Sequence, residues 1–359
     1  MSIFPNAPCS YRAIRVRLTL TLLVPLIGIM LLRTCAAQDF SSFYYGKTIN
    51  LIIGGGAGGG YDGYARLFAR HGSKHIPGNP QFVPRNLPTA NGLVAANTLF
   101  NSTEPDGLTI AALTSAVPLD PLFGRPGAQY EPLKFGWIGS IGKLRGVCGV
   151  WHTVPVYSLE DLFLRETVVG GVGATSDSAL WPRMLNDLVG LKIKGISGYP
   201  EGGGVQLAVE KGEIEGICGM SWSTLITTRP QWQRDKLFRV LMQMGATKHP
   251  NLMQVPSLRD LVSDPERRKT LDLILMRGEM GHPFAVPPGT LGERLQVLRK
   301  AFEDTILDHG FIAEAERDHL EIEPVTGVGI DTLLMQAYSM PIQTIRRAAL
   351  LADPNSPLK

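Results

Sequence analysis

Chemistry in this chain is concentrated in a glycine loop. Gly54-Gly55-Gly56-Ala57-Gly58-Gly59-Gly60 places six glycines in seven positions, and Asp62 follows two residues later. A backbone stripped of side chains exposes its N–H groups, and at a helix start those amides and the dipole attract negative charge. The chemistry this predicts is capture of an anion, with Gly55, Gly56, Gly58, Gly59, Gly60 and Asp62 as candidate contacts. A tight turn with Asp62 as the helix cap is the plainer alternative. A second loop, Gly170-Gly171-Val172-Gly173-Ala174-Thr175-Ser176-Asp177-Ser178, repeats the arrangement with hydroxyls added. Gly171, Gly173, Thr175, Ser176 and Ser178 are its candidates; Ser176 or Asp177 as a simple helix cap is again the plainer role. Ser115 and Ser221, each beyond a predicted strand, and Tyr199, in a third glycine-rich segment, complete the candidate ligand-binding set. A half-buried core tyrosine is the competing role for Tyr199.

Other chemistries lack their parts. Gly54-x-Gly56-x-x-Gly59 matches the dinucleotide pattern, but the second predicted strand ends at Arg85-Asn86 rather than at the acid that would hold a ribose. No Gly-Lys-Ser/Thr completes a phosphate loop, and no Gly-x-Ser-x-Gly elbow is present. The histidines, at 71, 75, 152, 249, 282, 309 and 319, form no metal-binding spacing with a carboxylate or cysteine. The chain is therefore expected to be a non-enzyme, with no cofactor and no metal.

The elements that must position these loops alternate. Ile49–Ile53 is a β-branched strand running into the glycines, and Tyr64–Arg70 has helical spacing after Asp62. Strands are predicted at Gln81–Asn86, Gly107–Leu113, Phe135–Ser140, Thr167–Val169, Leu191–Ile196, Ile214–Cys218 and Phe238–Met244. Helices are predicted at Asn91–Phe100, Ser158–Phe163, Ala179–Val189, Gly203–Lys211, Leu258–Leu261, Leu291–Leu307 and Ile330–Leu351. This alternation predicts α/β lobes with largely parallel sheets.

Residues 1–37 are expected to be a cleaved export signal. Arg12, Arg15 and Arg17 precede Leu18–Leu32, fifteen residues without charge, and Cys35-Ala36-Ala37 offers small residues before a cut at Gln38. The run is short for a membrane span and carries Pro25. An uncleaved anchor and lipid attachment at Cys35 are the alternatives. The segment holds four arginines and no acid, so without it the formal charge of +3 becomes −1. No basic stripe then points to nucleic acid. Cys148 and Cys218 remain; buried free thiols are the expected state, although an oxidising compartment permits a disulfide. About 320 remaining residues suit two lobes better than one core.

The order of these segments resembles the Bug-type periplasmic receptors of tripartite tricarboxylate transporters. Those receptors run their first strand into a Pro/Phe-Pro-Pro-Gly-Gly-Gly-Thr-Asp turn and an Ala-Arg helix. Here Gly58, Gly59 and Gly60 take the triple glycine, Asp62 the aspartate and Ala65-Arg66 the Ala-Arg. Pro105-Asp106-Gly107-Leu108-Thr109 is similar to the family's Pro-Asp-Gly-Tyr-Thr, and Gly173-Ala174-Thr175-Ser176 matches in part its Gly-x-Gly-Thr-Ser loop. Tyr199 through Gly212-Glu213-Ile214-Glu215 and Val255-Pro256-Ser257-Leu258 follow in the family's order. The chain departs where Gly54–Ala57 replace Pro-Phe-Pro-Pro, where Thr175 replaces a glycine and where Pro200-Glu201 replace Lys-Gly. Glu201 would repel a carboxylate, so it either turns away or favours a ligand with an amino group.

The resemblance implies a two-lobe type II periplasmic-binding-protein fold with the ligand cleft between lobes. Lobe 1 would be residues 38–142 and 241–359, and lobe 2 residues 143–240. It also implies a monomeric periplasmic receptor for a small organic anion, a carboxylate, presented in its closed form to integral-membrane permease subunits. A sensing domain for a membrane kinase and a secreted enzyme acting on a small acid are the rival readings.

Overall fold

β-Branched and apolar stretches build two sheets. The computed structural model describes residues 40–199 and 201–356; the expected export signal at 1–37, Pro200 and the Glu201 side chain lie outside the described residues. One sheet contains β1 (Thr48–Ile53), β2 (Gln81–Asn86), β3 (Thr109–Ala112), β4 (Gly136–Ser140), β10 (Pro283–Val286) and β11 (Val325–Thr326), in the order β11-β4-β10-β3-β1-β2. The other contains β5 (Gly146–Trp151), β6 (Thr167–Gly171), β7 (Ile193–Ser197), β8 (Gly216–Ser221) and β9 (Phe238–Met244), in the order β7-β6-β8-β5-β9. The chain leaves the first sheet between β4 and β5 and returns between β9 and β10.

Both sheets are mixed, which corrects the expectation of largely parallel ones. β1 runs parallel to β2 and β3, and β6 runs parallel to β7 and β8. β10 is antiparallel to β3 and β4, and β5 is antiparallel to β8 and β9. Hydropathy marks a buried strand but carries no sign of its direction. The parallel core of each sheet sets the site. Because β1 and β3 are parallel neighbours, the loops leaving their carboxyl ends start side by side, as do those leaving β6 and β8. Ligands in open α/β sheets bind outside those strand ends.

Three packing regions hold the elements. Phe68, Phe284 and Phe302 pack beneath the first sheet, and Val205, Ile217 and Trp232 beneath the second. A third cluster joins elements of both: Trp181 and Leu188 from helix Asp177–Val189, Leu271 and Leu275 from helix Pro265–Glu279, and Leu351 from helix Ile342–Ala352. Several later elements differ from expectation, helix His309–Arg317 and strands β10 and β11 among them. Ile330–Leu351 is two helices, Gly327–Tyr338 and Ile342–Ala352, with Pro341 immediately before the second; a proline ring in a continuous helix would clash with the preceding turn. Helix Pro265–Glu279 had no counterpart in the sequence reading, although Asp264 and Pro265 are a start signal: the Asp264 carboxylate accepts from the Arg267 N–H at 2.8 Å.

Cys148 and Cys218 are joined as a disulfide rather than left as free thiols. They face one another in the antiparallel register of β5 and β8, 70 residues apart in the chain. Cross-strand register, which chain spacing does not encode, brings them together.

Candidate functional site

A cleft of about 290 Å3 opens where loops of the two sheets converge. The glycine loop contributes Gly60 and Tyr61, the turn after β3 contributes Ser115, and the loop after β6 contributes Ser176, Asp177 and Ser178. Ser221 and Thr224 enter from the end of β8 and the short helix Trp222–Thr228, and Arg277 and His282 from the return to the first sheet. The elements account for this grouping. Gly219 has φ +101°, and a Cβ there would meet the Asp177 carbonyl oxygen at 2.7 Å, so only glycine lets β8 approach the start of helix Asp177–Val189.

Of the residues expected from sequence, Gly60, Ser115, Ser176, Ser178 and Ser221 line the cleft. Gly55, Gly56, Gly58, Gly59, Asp62, Gly171, Gly173, Thr175 and Tyr199 do not line it. The Asp62 carboxylate is occupied by its own loop. It accepts from the Gly58 N–H at 2.9 Å, from Asn86 Nδ2 at 2.9 Å and from Arg66 Nε at 2.8 Å. Burial pushes its pKa up, but the Gly58, Asn86 and Arg66 donors outweigh that and hold it below the usual carboxylate value. Gly55 is needed for packing: a Cβ there would lie 2.6 Å from Tyr61 Cβ. Gly171 lets helix Asp177–Val189 start against β6, since a Cβ would meet the Ser178 carbonyl oxygen at 2.8 Å. The Gly173 carbonyl accepts from the Ser176 N–H at 2.8 Å. Thr175 accepts from Arg125 Nη2 at 3.3 Å and lines an adjoining space of about 690 Å3 with Asp120, Arg125 and Arg277, the last of which also lines the cleft. Tyr199 packs half-buried against the apolar core of the second sheet.

The hydroxyls in the cleft are linked in short chains. Tyr61 donates to Ser115 Oγ at 3.1 Å and accepts from the Ser115 N–H at 3.2 Å. Ser178 Oγ accepts from the Val172 N–H at 3.2 Å and is hydrogen-bonded to Ser176 Oγ at 3.2 Å. Ser221 Oγ caps its helix by accepting from the Thr224 N–H at 3.3 Å and lies 2.7 Å from Ser223 Oγ. Gly60 stands opposite: a Cβ there would lie 3.8 Å from Thr224 Oγ1.

Charge in the cleft comes from residues that the sequence reading did not single out as ligands. Arg277 is only 9% exposed, and its Nε has no hydrogen-bond partner among the described residues. Asp177 Oδ1 lies 3.5 Å from Arg277 Nη1, a loose contact across the cleft. Burial opposes the guanidinium charge, but Asp177, Asp120 and Tyr61 outweigh it and keep Arg277 protonated. Asp120, 5% exposed, is driven up in pKa by burial against the pull of Arg277 and Arg125, and its Oδ2 has no partner among the described residues. His282 is pushed down by burial to about 3, so it is uncharged at neutral pH, with its ring 3.8 Å from that of Tyr64. A signal for Arg277 did exist: it falls three and four residues after Ile274 and Leu273, on the buried face of its helix. Among the described residues no group of three or more His, Cys, Asp or Glu is placed to hold a metal.

No protein-family model matches the chain, and no curated protein matches it. Solved structures do. The chain is similar to a TctC solute binding protein from Polaromonas, without ligand, at 20% identity and TM-score 0.63, covering 85% of this chain and 99% of that one. It is similar to the periplasmic binding protein BugD at 16% identity and TM-score 0.64, covering 85% and 98%. It is similar to MatC from Rhodopseudomonas palustris with bound malate at 18% identity and TM-score 0.60, covering 84% and 99%. The chain thus has the α/β fold of the periplasmic solute-binding proteins. Within that class its fold is the one shared by the TctC- and Bug-type receptors.

Proposed function

We propose that this chain is an exported receptor that takes a small organic carboxylate into the cleft between its two sheets. It would pass that ligand to the membrane permease subunits of a tripartite tricarboxylate transporter. The observation that carries the reading is Arg277: a buried guanidinium whose Nε has no hydrogen-bond partner among the described residues, on a cleft also lined by the Ser115, Ser176, Ser178 and Ser221 hydroxyls. A buried charge is costly until it is paired and hydrogen-bonded, so the site is set up to gain from an incoming carboxylate. In this reading residues 38–142 with 241–359 and residues 143–240 are the two lobes, and the crossings after β4 and β9 are the hinge. The ligand stabilises the closed form by its differential affinity for it. The fold's likeness to binding proteins rather than enzymes, the MatC structure with malate, and the export signal expected at 1–37 support the same reading.

A thermal-shift screen of the exported protein against mono-, di- and tricarboxylates tests it. Binding to the folded state raises the melting temperature by mass action. A shift with one class of acid, lost in Arg277→Met, is the expected outcome. No shift with any acid, in protein shown to be folded and ligand-free, would sink the receptor reading.

A further inference from the structure

Among the described residues, the charges lining the cleft form one pair. Arg277 and Asp177 carry them; His282 is held neutral by burial, and Tyr61 is a buried phenol whose hydroxyl serves Ser115. The pair comes from different parts of the fold, Arg277 from the last turn of helix Pro265–Glu279 and Asp177 from the first turn of helix Asp177–Val189. The two side chains approach to 3.5 Å, with Arg277 11% and Asp177 41% exposed. Arg277 is buried without a well-aligned partner and carries that cost, while Asp177 is partly open to solvent and free to turn towards a ligand cation. Both members gain if a ligand supplies the missing partners.

The rest of the lining limits what that ligand is. Trp181, Met184, Val205, Ile217, Met220 and Met244 present apolar surface to the cleft. A second carboxylate on the ligand would meet these residues and Asp177, with no further cation among the described residues that line the cleft. An ionised group buried in that way stays unpaired and is strongly disfavoured.

We propose that the cleft is built for a zwitterion, an α-amino acid with an uncharged apolar side chain. Its carboxylate would take Arg277, its ammonium would take Asp177, and its side chain would lie on the tryptophan and methionine wall. The charge of the cleft stays balanced on binding, and both members of the loose pair become fully engaged. This rests on the carboxylate-receptor reading and narrows it.

The test is calorimetric titration of the whole exported protein with leucine, methionine and phenylalanine, each paired with its des-amino acid, and with malate. The expected result is that at least one amino acid binds about tenfold or more tightly than its des-amino counterpart, the scale of one charge-assisted hydrogen-bonded pair. Malate should bind more weakly than that amino acid. Asp177→Asn should collapse the preference for the amino acid over its des-amino partner. If the des-amino acids bind as tightly, or malate binds best, the zwitterion inference is overturned while the carboxylate receptor stands. If a preference for the amino acid survives Asp177→Asn unchanged, Asp177 is not the ammonium partner and the inference is likewise overturned. If none of these acids binds, and a wider carboxylate screen is also silent, both readings fall together.

Discussion

The two glycine loops have similar sequences and opposite economies. In the first, the Asp62 carboxylate turns back and takes the Gly58 N–H, so the loop supplies its own anion. Only Gly60 and Tyr61 from that loop reach the cleft. In the second, Ser176, Asp177 and Ser178 all line the cleft, and Gly219 of β8 lets the neighbouring strand close up behind them. A run of glycines followed by an acid therefore does not specify an anion site by itself. What matters is whether the amides remain free once the acid has folded back, and here one has not.

The sharpest way to break this comparison is at the residue that neither loop contains. Arg277→Met should weaken carboxylate binding by about 2–5 kcal/mol, the range for removing one partner of a buried charge contact. Titration calorimetry on a variant shown to fold by circular dichroism reads this directly, and retained affinity would return the anchoring role to the loops. Asp62→Asn should act on the fold instead. Its carboxyl is held low, burial opposing and the Gly58, Asn86 and Arg66 donors prevailing. Its contribution to stability is therefore complete above the unfolded carboxylate value and lost as pH falls through the lower folded one. The variant should lose about 1–3 kcal/mol at neutral pH and show a flatter acid limb. Urea melts at a series of pH values measure both, and an unaltered acid limb would show that the Asp62 charge contributes nothing to stability.

Smaller effects separate the faces of the first loop. Gly60→Val puts side-chain atoms towards Thr224 across the cleft and should cost about 1–3 kcal/mol of ligand affinity, the scale of overpacking. Gly59→Val, on a residue that does not line the cleft, should cost less affinity than Gly60→Val. The reverse order in matched titrations would move the ligand onto the inner turn of the loop. Ser176→Ala should weaken binding by about 1 kcal/mol, one hydrogen bond's worth. No change would leave Ser176 as the residue that starts helix Asp177–Val189 and no more.

Much of the architecture was legible in the chain. Ile49–Ile53 and Phe238–Met244 are strands as read, and most helices lie within a few residues of their expected ends. Local pattern suffices there because a strand or helix is chosen by the spacing of its own apolar residues. The misreadings have separate causes. Helix Pro265–Glu279 opens with Glu266, Arg267, Arg268 and Lys269, and that charged first turn hides its buried face. Missing that helix meant missing Arg277. Ser221 was expected just beyond a strand ending at Cys218; instead β8 continues through it, and the residue still reaches the cleft.

By itself the sequence determined the alternation of strands and helices, the two glycine loops at strand ends and the hydroxyl-bearing start of helix Asp177–Val189. These follow from short-range sterics and hydrophobic spacing, which neighbours along the chain settle between them. Tertiary structure alone decided that Asp62 closes on Gly58, that Cys148 meets Cys218, and that Arg277 stands 3.5 Å from Asp177 although 100 residues separate them. Strand direction, cross-strand register and the packing of one helix on another set those meetings. A side chain's charge is written in the sequence, but whether that charge is buried and left short of partners depends on what the fold brings beside it.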